Sequence, residues 1–183
     1  MPIIYLSPST QEFNPYITGA GSEEYFMNRI ADAMEPYLEA SGVYFERNDR
    51  DESLRTAIEA SNAGNFDLHL AIHSNASPEG REGELQGPDV YYYADSPSSR
   101  IAGEIIAGNL MAIYPNPELV QVLPTTALAE LRRTKSPSVL VEVAYHDNVD
   151  DASWITNNIG RIGYNLALSV TQYLGVPFVD PFA

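Results

Sequence analysis

The chain has 183 residues, and its 25 Asp plus Glu against 10 Lys plus Arg give a formal net charge of −15. This length suits one domain that buries about 70% of the surface its unfolded chain exposes. The negative field repels nucleic acid phosphates and anionic membrane surfaces, which excludes both as expected partners. Because the chain has no Cys, disulfides and cysteine nucleophiles are excluded, and any metal must use His, Asp or Glu.

The amino-terminal segment has no basic residue before Arg29, so it lacks the charged region of a secretory signal. No apolar run approaches the about 20 residues that cross a bilayer, so we expect no membrane insertion. We therefore expect a cytoplasmic location for the chain as given, unless it is exported or released by a route that it does not encode.

Short apolar runs alternate with amphipathic stretches along the chain, which is typical of β-α-β units. We predict an α/β fold, with residues 1–183 as a single domain and a twisted, mostly parallel sheet flanked by helices on both faces. The predicted strands cover 3–6, 43–46, 66–73, 90–93 and 139–143. The predicted helices are one that Ser22 caps and that ends near Gly42, then 52–63, 98–113 and 160–173. Segment 120–132 fits a strand with a turn as well as a short helix, and loop 74–88 suits a substrate-binding flap.

Two polar residues mark the ends of otherwise apolar strands, where open α/β sheets bind ligands. His73 ends the run LHLAIH, and Glu142 interrupts the run SVLVEV. A carboxylate in such a strand is costly unless a metal, a cation or a proton compensates for its lost hydration. Imidazole and carboxylate suit zinc, and a second carboxylate nearby can take a proton from zinc-bound water. Glu24 and Glu142 are candidates to divide these two roles.

Each candidate also has a purely structural interpretation. Glu24 complements a helix dipole, His73 can be a hydrogen-bonded core histidine, and Glu142 can pair with Arg132 or Arg133. His69 shares a strand face with His73, but four residues along a strand span about 13 Å, which is too far for one metal. His146 follows Glu142 by four residues and either turns back towards the site or bonds to Asp147 or the backbone.

Nearly the entire chain resembles the zinc-dependent N-acetylmuramoyl-L-alanine amidases of the type 3 amidase family, which cleave bacterial peptidoglycan. The residues that carry the resemblance are GSEE at 21–24 with Asn28, NA at 62–63, DLHLAIHSNA at 67–76, GPDVYYY at 87–93, SRIA at 99–102, and LRRT at 131–134 leading to VLVE at 139–142. The segments that end at Ala76 and Glu142 are specific when taken together.

The resemblance implies a twisted sheet between helices and one zinc ion held by His, Glu and His, with a glutamate as general base. By position, Glu24 matches the glutamate ligand, His73 the second histidine ligand and Glu142 the catalytic glutamate. The expected substrate is peptidoglycan or a muropeptide, so the chain would act in cell wall catabolism, on the cell or spore wall, after release. Asn75 and Arg132 are the candidate substrate-binding residues, with Arg132 or Arg133 facing an anionic intermediate.

One departure from the family pattern affects the metal. The first histidine ligand belongs to a Pro-Gly-His-Gly motif, but this stretch reads LSPSTQ at 6–11 and has Thr10 at the histidine position. His146 and Gln11 are the candidate third ligands, and loss of the metal is the other outcome. The leading hypothesis is therefore a zinc-dependent amidase. Its alternatives are a catalytically silent module that binds muropeptide or a partner protein, and a metal hydrolase of another amide, such as a peptidase.

Overall fold

Six strands form one sheet in the computed structural model, which describes residues 1–183. The strands are β1 (Ile3–Pro8), β2 (Tyr44–Arg47), β3 (Leu68–Asn75), β4 (Asp89–Tyr93), β5 (Gln121–Thr125) and β6 (Ser138–Tyr145). The helices are α1 (Glu23–Ala40), α2 (Leu54–Ala63), α3 (Pro97–Met111), α4 (Ala129–Arg133), α5 (Val149–Asn157) and α6 (Ile159–Leu174), with a short 3-10 turn at Pro117–Leu119. The predicted α/β class is confirmed.

The strand order is β2-β1-β3-β6-β4-β5. Every neighbouring pair is parallel except β4 with β6, which are antiparallel. The carboxyl ends of β1, β3 and β6 therefore meet at one edge of the sheet. Because β4 runs the other way, its amino-terminal residue Asp89 lies at this same edge, opposite Glu142 of β6.

Helices cover both faces of the sheet, but unequally. The main core lies between one face and helices α1, α3, α5 and α6. Helices α2 and α4 lie on the other face, where the smaller cluster of Ala71, Leu131 and Leu140 is packed. Side chains alternate between faces along a strand, so His69 and His73 share the face of Ala71. The two histidines thus lie on the side of the sheet that has the thinner cover.

Helix α1 begins where the sequence predicts it. The Ser22 hydroxyl accepts a hydrogen bond from the Tyr25 amide, which is a typical N-cap contact. The helix packs closely on α6 because Gly163 has no side chain. A Cβ atom on Gly163 would lie 2.6 Å from the Cβ of Ala33, so this contact fixes the distance between the two helices.

Two parts of the chain differ from the prediction. Segment 120–132 contains both alternatives, since β5 is followed by the short helix α4. Helix α5 was not predicted, because its amphipathic signal is short and directly precedes α6. None of the helices is long and apolar enough to cross a bilayer.

Candidate active site

His73 and Glu142 form the centre of the candidate site. They lie directly opposite each other in the pairing of β3 with β6, so both side chains project from the same face near the carboxyl edge. His73 retains 14% side-chain exposure. The Oε2 atom of Glu142 is buried and has no hydrogen-bond partner. An unpartnered carboxylate oxygen beside a partly open imidazole is unusual in a protein interior and marks this pair as functional.

Glu23, at the first turn of α1, is the carboxylate that contacts His73. Its Oε1 lies 2.9 Å from His73 Nδ1, and its Oε2 accepts a hydrogen bond from Asn14 Nδ2 at 2.7 Å. Glu23 is 1% exposed. The structure therefore puts Glu23, and not the sequence-predicted Glu24, beside the histidine.

Glu24 points elsewhere because consecutive helical residues are rotated by about 100°. It lies 3.6 Å from Arg50 Nε in an ion pair and lines an open cavity of about 450 Å³ with Thr10, Phe13 and other residues. The structure does not bring Glu24 to His73. Asn28 Nδ2 donates to the backbone oxygens of Ser9 and Glu24 and lies 3.4 Å from Glu24 Oε1, so it connects the loop after β1 to the first turn of α1.

The signal for Glu23 was present in the sequence. Glu23 precedes four apolar residues by 4, 7, 8 and 11 positions, the spacing of one helix face. These residues are Met27, Ile30, Ala31 and Met34, and all are fully buried. Because Glu23 begins the buried face of α1, its carboxylate lies in the interior. Glu24 lies on the side of the helix.

Gln11 is the third polar group at His73. Its Nε2 lies 3.4 Å from His73 Nδ1, and its Oε1 accepts a hydrogen bond from Asn14 Nδ2 at 3.0 Å. Gln11 and His73 both line a cavity of about 260 Å³ that also contacts Thr10. The structure thus brings one of the two candidate third ligands to the site.

His146, the other candidate, is not part of this group. It is 5% exposed, and its Nδ1 lies 2.8 Å from the Ser74 backbone oxygen and 3.1 Å from the Ser74 hydroxyl. Its ring stacks on Tyr16 at 5.5 Å between centroids. His146 makes no hydrogen bond or ion pair with His73, Glu23 or Glu142, which corresponds to the structural interpretation of this residue.

The two candidate substrate-binding residues, Asn75 and Arg132, lie in different surroundings. Asn75, at the end of β3, donates a hydrogen bond to Asp89 at 3.2 Å, and Tyr145 donates to the same carboxylate oxygen at 2.8 Å. Asn75 therefore borders the edge that carries Glu142. Arg132 is exposed on α4 and pairs with no site residue, so the expected ion pair between Glu142 and Arg132 or Arg133 is absent.

Glu130 is a site residue that sequence reasoning missed. This residue of α4 is 3% exposed, and its Oε2 lies 3.5 Å from His73 Nε2. Its Oε1 lies 2.9 Å from His69 Nε2 and also accepts a hydrogen bond from the Ser7 hydroxyl. The ambiguity of segment 120–132 hid this residue, because its direction depends on whether 129–133 is helix or strand.

The pKa values of the site residues reflect two opposing effects. Burial disfavours the charged form of each group, whereas contacts with groups of opposite charge favour it. Burial disfavours the charged form of His73, but Glu130 and Glu23 outweigh it and raise the pKa of His73 well above its usual range. Burial likewise acts against ionisation of Glu23, but hydrogen bonds from His73 and Asn14 lower its pKa. The pKa of Glu130 is also lowered, since His69 and His73 outweigh its burial. Both carboxylates therefore remain ionised beside the imidazole.

Glu142 behaves in the opposite way. Burial raises its pKa to about 7, and the negative charges of Glu23 and Asp89 add to this effect while His73 opposes it. No hydrogen bond stabilises the charge on its Oε2. A carboxyl group that titrates near neutral pH can both accept and deliver a proton in a reaction.

The side chains around His73 determine which metal donors the site offers. The structure contains no group of three or more His, Asp and Glu side chains arranged to hold a metal ion. Glu23 Oε1 and the Gln11 amide nevertheless lie 2.9 and 3.4 Å from His73 Nδ1. Ligands of one tetrahedral zinc ion lie about 3.3 Å apart. His73 and Glu23 are thus two donors of the family type, and Gln11 can add its amide oxygen only by giving up the hydrogen bond from Asn14.

The comparisons with known proteins show the family of this chain. The family model described as N-acetylmuramoyl-L-alanine amidase matches residues 13–172. The chain belongs to this family. It is 31% identical over 160 residues to the N-acetylmuramoyl-L-alanine amidase LytC of Bacillus subtilis, a match that covers 82% of this chain and 30% of LytC. The amidase chain thus spans less than a third of that relative's length.

Solved structures show the same fold at lower identity. The amidase AmiC2 of Nostoc punctiforme has a TM-score of 0.82 at 18% identity, with 95% of this chain and 97% of that chain covered. The CwlD amidase of Clostridioides difficile, solved in complex with the GerS lipoprotein, also has a TM-score of 0.82 at 18% identity, with 96% and 99% covered. The fold of this amidase domain is therefore that of complete solved amidase chains.

Proposed function

We propose that this chain is a peptidoglycan hydrolase that cleaves the amide bond between N-acetylmuramic acid and L-alanine, and that it holds one zinc ion. The observation that carries the proposal is the pairing of His73 with Glu23 beside the unpartnered carboxylate of Glu142. Membership of the amidase family supports the substrate class. Access to the cell or spore wall, after release or export, is part of the same proposal.

Glu23 and His73 would hold the metal, with Gln11 as the nearest third donor. Zinc in such a position acidifies bound water and polarises the amide carbonyl. Glu23 keeps the His73 ring in place through its contact with Nδ1, and Asn14 fixes the other oxygen of Glu23. The buried contacts therefore restrict both donors before any metal arrives, which lowers the cost of ordering them.

Glu142 would move the proton in this reaction. With a pKa of about 7, its carboxylate can accept a proton from the attacking water and then deliver it to the amine of L-alanine. The carbonyl carbon gains the water oxygen, and the bond to nitrogen breaks. The products are the lactyl carboxylate of muramic acid and a peptide with a free amino end.

The test uses wild-type protein made without a histidine tag, together with Glu142→Gln and the exposed control Glu118→Gln. Zinc content is measured by elemental analysis, and cleavage of a purified muropeptide by mass spectrometry. We expect about one zinc ion per chain in all three proteins, and a loss of cleavage of about 10²- to 10⁴-fold only in Glu142→Gln.

Three results would contradict the proposal. Failure of the wild type to take up supplied zinc would exclude the zinc mechanism and favour a silent module that binds muropeptide or a partner. Hydrolysis of small peptides with intact muropeptide would assign a different amide as substrate. Full activity of Glu142→Gln would exclude Glu142 as the proton carrier.

A further inference from the structure

Two cavities adjoin at the loop after β1. One is the cavity of about 260 Å³ that His73 and Gln11 line, and the other is the cavity of about 450 Å³ that Glu24 lines. Thr10 lines both, and we call the two cavities together the Thr10 groove. The groove therefore leads from the candidate site at His73 to the surface beside α1.

The second cavity of the Thr10 groove is acidic. Four carboxylate side chains line it, whereas Arg50 is its only cation. Arg50 is already engaged, since its Nε lies 3.6 Å from Glu24 and its Nη2 lies 3.7 Å from Asp32. The remaining carboxylates form no ion pair, and they belong to Glu12, Asp51 and Glu52. The groove thus has negative charge that no side chain compensates.

Two buried oxygen atoms of the groove have no hydrogen-bond partner. Asn48 lines the first cavity and is 4% exposed. Its Nδ2 donates to the backbone oxygens of Pro8 and Asp49, both at 3.2 Å, whereas its Oδ1 is buried and unpartnered. Oε2 of Glu52 is likewise buried and unpartnered. Because a buried acceptor without a donor costs free energy, both atoms indicate a ligand that brings N–H groups.

Charge and shape together define the class of ligand. The carboxylates are not arranged to hold a metal ion, but an ammonium group needs only hydrogen-bond acceptors around its three donors. Leu54 lines the first cavity and Phe13 the second, and they are 44% and 74% exposed. Such apolar surface suits the methylene groups of a long side chain. The groove therefore fits an amine on an aliphatic stem.

The distance from His73 suits the third residue of a bound peptide. Gln11 contacts His73, and Phe13 follows Gln11 by two positions, which is at most about 7 Å along the chain. Three residues of an extended peptide span about 10 Å. A peptide whose first amide lies at His73 would therefore bring its third side chain to the acidic cavity.

We propose that the Thr10 groove binds the stem peptide and selects one whose third residue has a free side-chain ammonium group. Asp51 and Glu52 are the partners of this ammonium group, and Asn48 accepts a hydrogen bond from a peptide N–H. The inference rests on the proposed function, because it names the peptide that the same site would take. It extends that function to residues that neither move a proton nor contact His73.

The experiment compares two peptides that differ by one charge. They are N-acetyl-L-Ala-γ-D-Glu-L-Lys and the same peptide with an acetylated lysine amine, and NMR titration of the ¹⁵N-labelled chain measures their binding. We expect the wild type to bind the free amine about 5- to 10-fold more tightly, as one or two partly exposed ion pairs would allow. This preference should fall below about twofold in about 0.5 M NaCl, which screens exposed charges. The side-chain amide signals of Asn48 should shift with both peptides.

The variants are Glu52→Gln, Asp51→Asn and the control Glu118→Gln, an exposed carboxylate outside the groove. Glu52→Gln and Asp51→Asn should each reduce the preference for the free amine at least about twofold and keep the binding of the acetylated peptide. Glu118→Gln should bind both peptides as the wild type does. If Glu52→Gln does not fold, Asp51→Asn decides.

Several results would overturn the inference. They are absence of binding, equal binding of the two peptides by the wild type, unshifted Asn48 signals, and a preference that is unchanged in both groove variants or equally reduced in the control. Because binding is measured without cleavage, the proposed function is tested separately. Cleavage of muropeptide without a preference would remove this inference alone, whereas a preference without cleavage would keep the groove and exclude the hydrolase.

Discussion

His73 and Glu142 are direct neighbours across β3 and β6, and the pKa of each is raised above its ordinary value. The pKa of His73 is raised by Glu130 and Glu23 against the effect of burial. The pKa of Glu142 is raised to about 7, chiefly by burial. In the proposed function His73 would be a zinc donor and Glu142 the proton carrier, and zinc would displace the proton of the ligating nitrogen.

We expect Glu142→Gln to stabilise the chelator-treated protein at alkaline pH. A pKa of about 7 in the folded protein against 4.5 ordinarily corresponds to about 3 kcal/mol at most. This penalty is absent below pH 4.5, where Glu142 is protonated in both states, grows between pH 4.5 and 7, and is complete above pH 7. Urea unfolding at pH 5, 6, 7 and 8 measures the difference.

The exposed variant Glu118→Gln is the control for this measurement, and its difference from wild type should not change with pH. Equal stability of Glu142→Gln and wild type at pH 8 would show that Glu142 carries no ionisation penalty in the folded protein. Glu142→Gln is also expected to lose cleavage. A gain in its free energy of unfolding together with a loss of cleavage would show that the ionisable carboxyl group lowers stability where it serves the reaction.

Neighbouring glutamates at the start of α1 should differ in zinc binding. Glu23→Gln removes the carboxylate that contacts His73, and we expect zinc affinity to fall at least about 100-fold, since a direct ligand is lost. Glu24→Gln alters the ion pair with Arg50 and a 3.4 Å contact with Asn28, and it should bind zinc as the wild type does. Isothermal titration with zinc compares the two, and the reverse result would restore Glu24 as the ligand.

Two glycines of α6 should respond oppositely to alanine. Gly160 has no atom within 4 Å of an added Cβ, so Gly160→Ala should stabilise the helix by about 0.5–1 kcal/mol. Gly163→Ala would bring a Cβ within 2.6 Å of Ala33 and should destabilise the protein by about 1–3 kcal/mol. Thermal unfolding measures both, and a stabilising Gly163→Ala would show that α1 can move away from α6 at little cost.

Loop 76–88 should depend on Asp147 for its order. One carboxylate oxygen of Asp147 accepts hydrogen bonds from the Ser77 and Gly83 amides at 3.0 and 2.8 Å. We expect Asp147→Ala to lower hydrogen-exchange protection in this loop at least about tenfold, since each bond contributes about 1 kcal/mol. Exposed Glu79→Ala, in the same loop, should leave protection unchanged, and equal loss in both variants would exclude Asp147 as the anchor.

The sequence predicted the sheet because its strands are buried, apolar and separated by amphipathic helices. It also predicted His73 and Glu142, since each is a polar residue in an otherwise apolar strand, where position along the strand determines position in the sheet. The edge at which these residues meet follows from the parallel direction of β1, β3 and β6.

Residues contributed by helix ends and loops were harder to predict. Glu23 and Glu24 differ by one position and by about 100° around the helix, so a match by position to the family pattern does not determine which of them reaches His73. Gln11 was recognised only as an alternative, because a loop sequence does not determine the direction of a side chain. Glu130 depends on a five-residue helix whose length is too short to give a clear periodicity.

The reversed direction of β4 has a consequence for how the domain can change. Since β3 ends and β4 begins at the same edge of the sheet, loop 76–88 joins them without crossing a face. Residues can be inserted there without displacing a helix or altering the strand order. The length of this loop can therefore change while the residues of the candidate site on α1, β3 and β6 keep their frame.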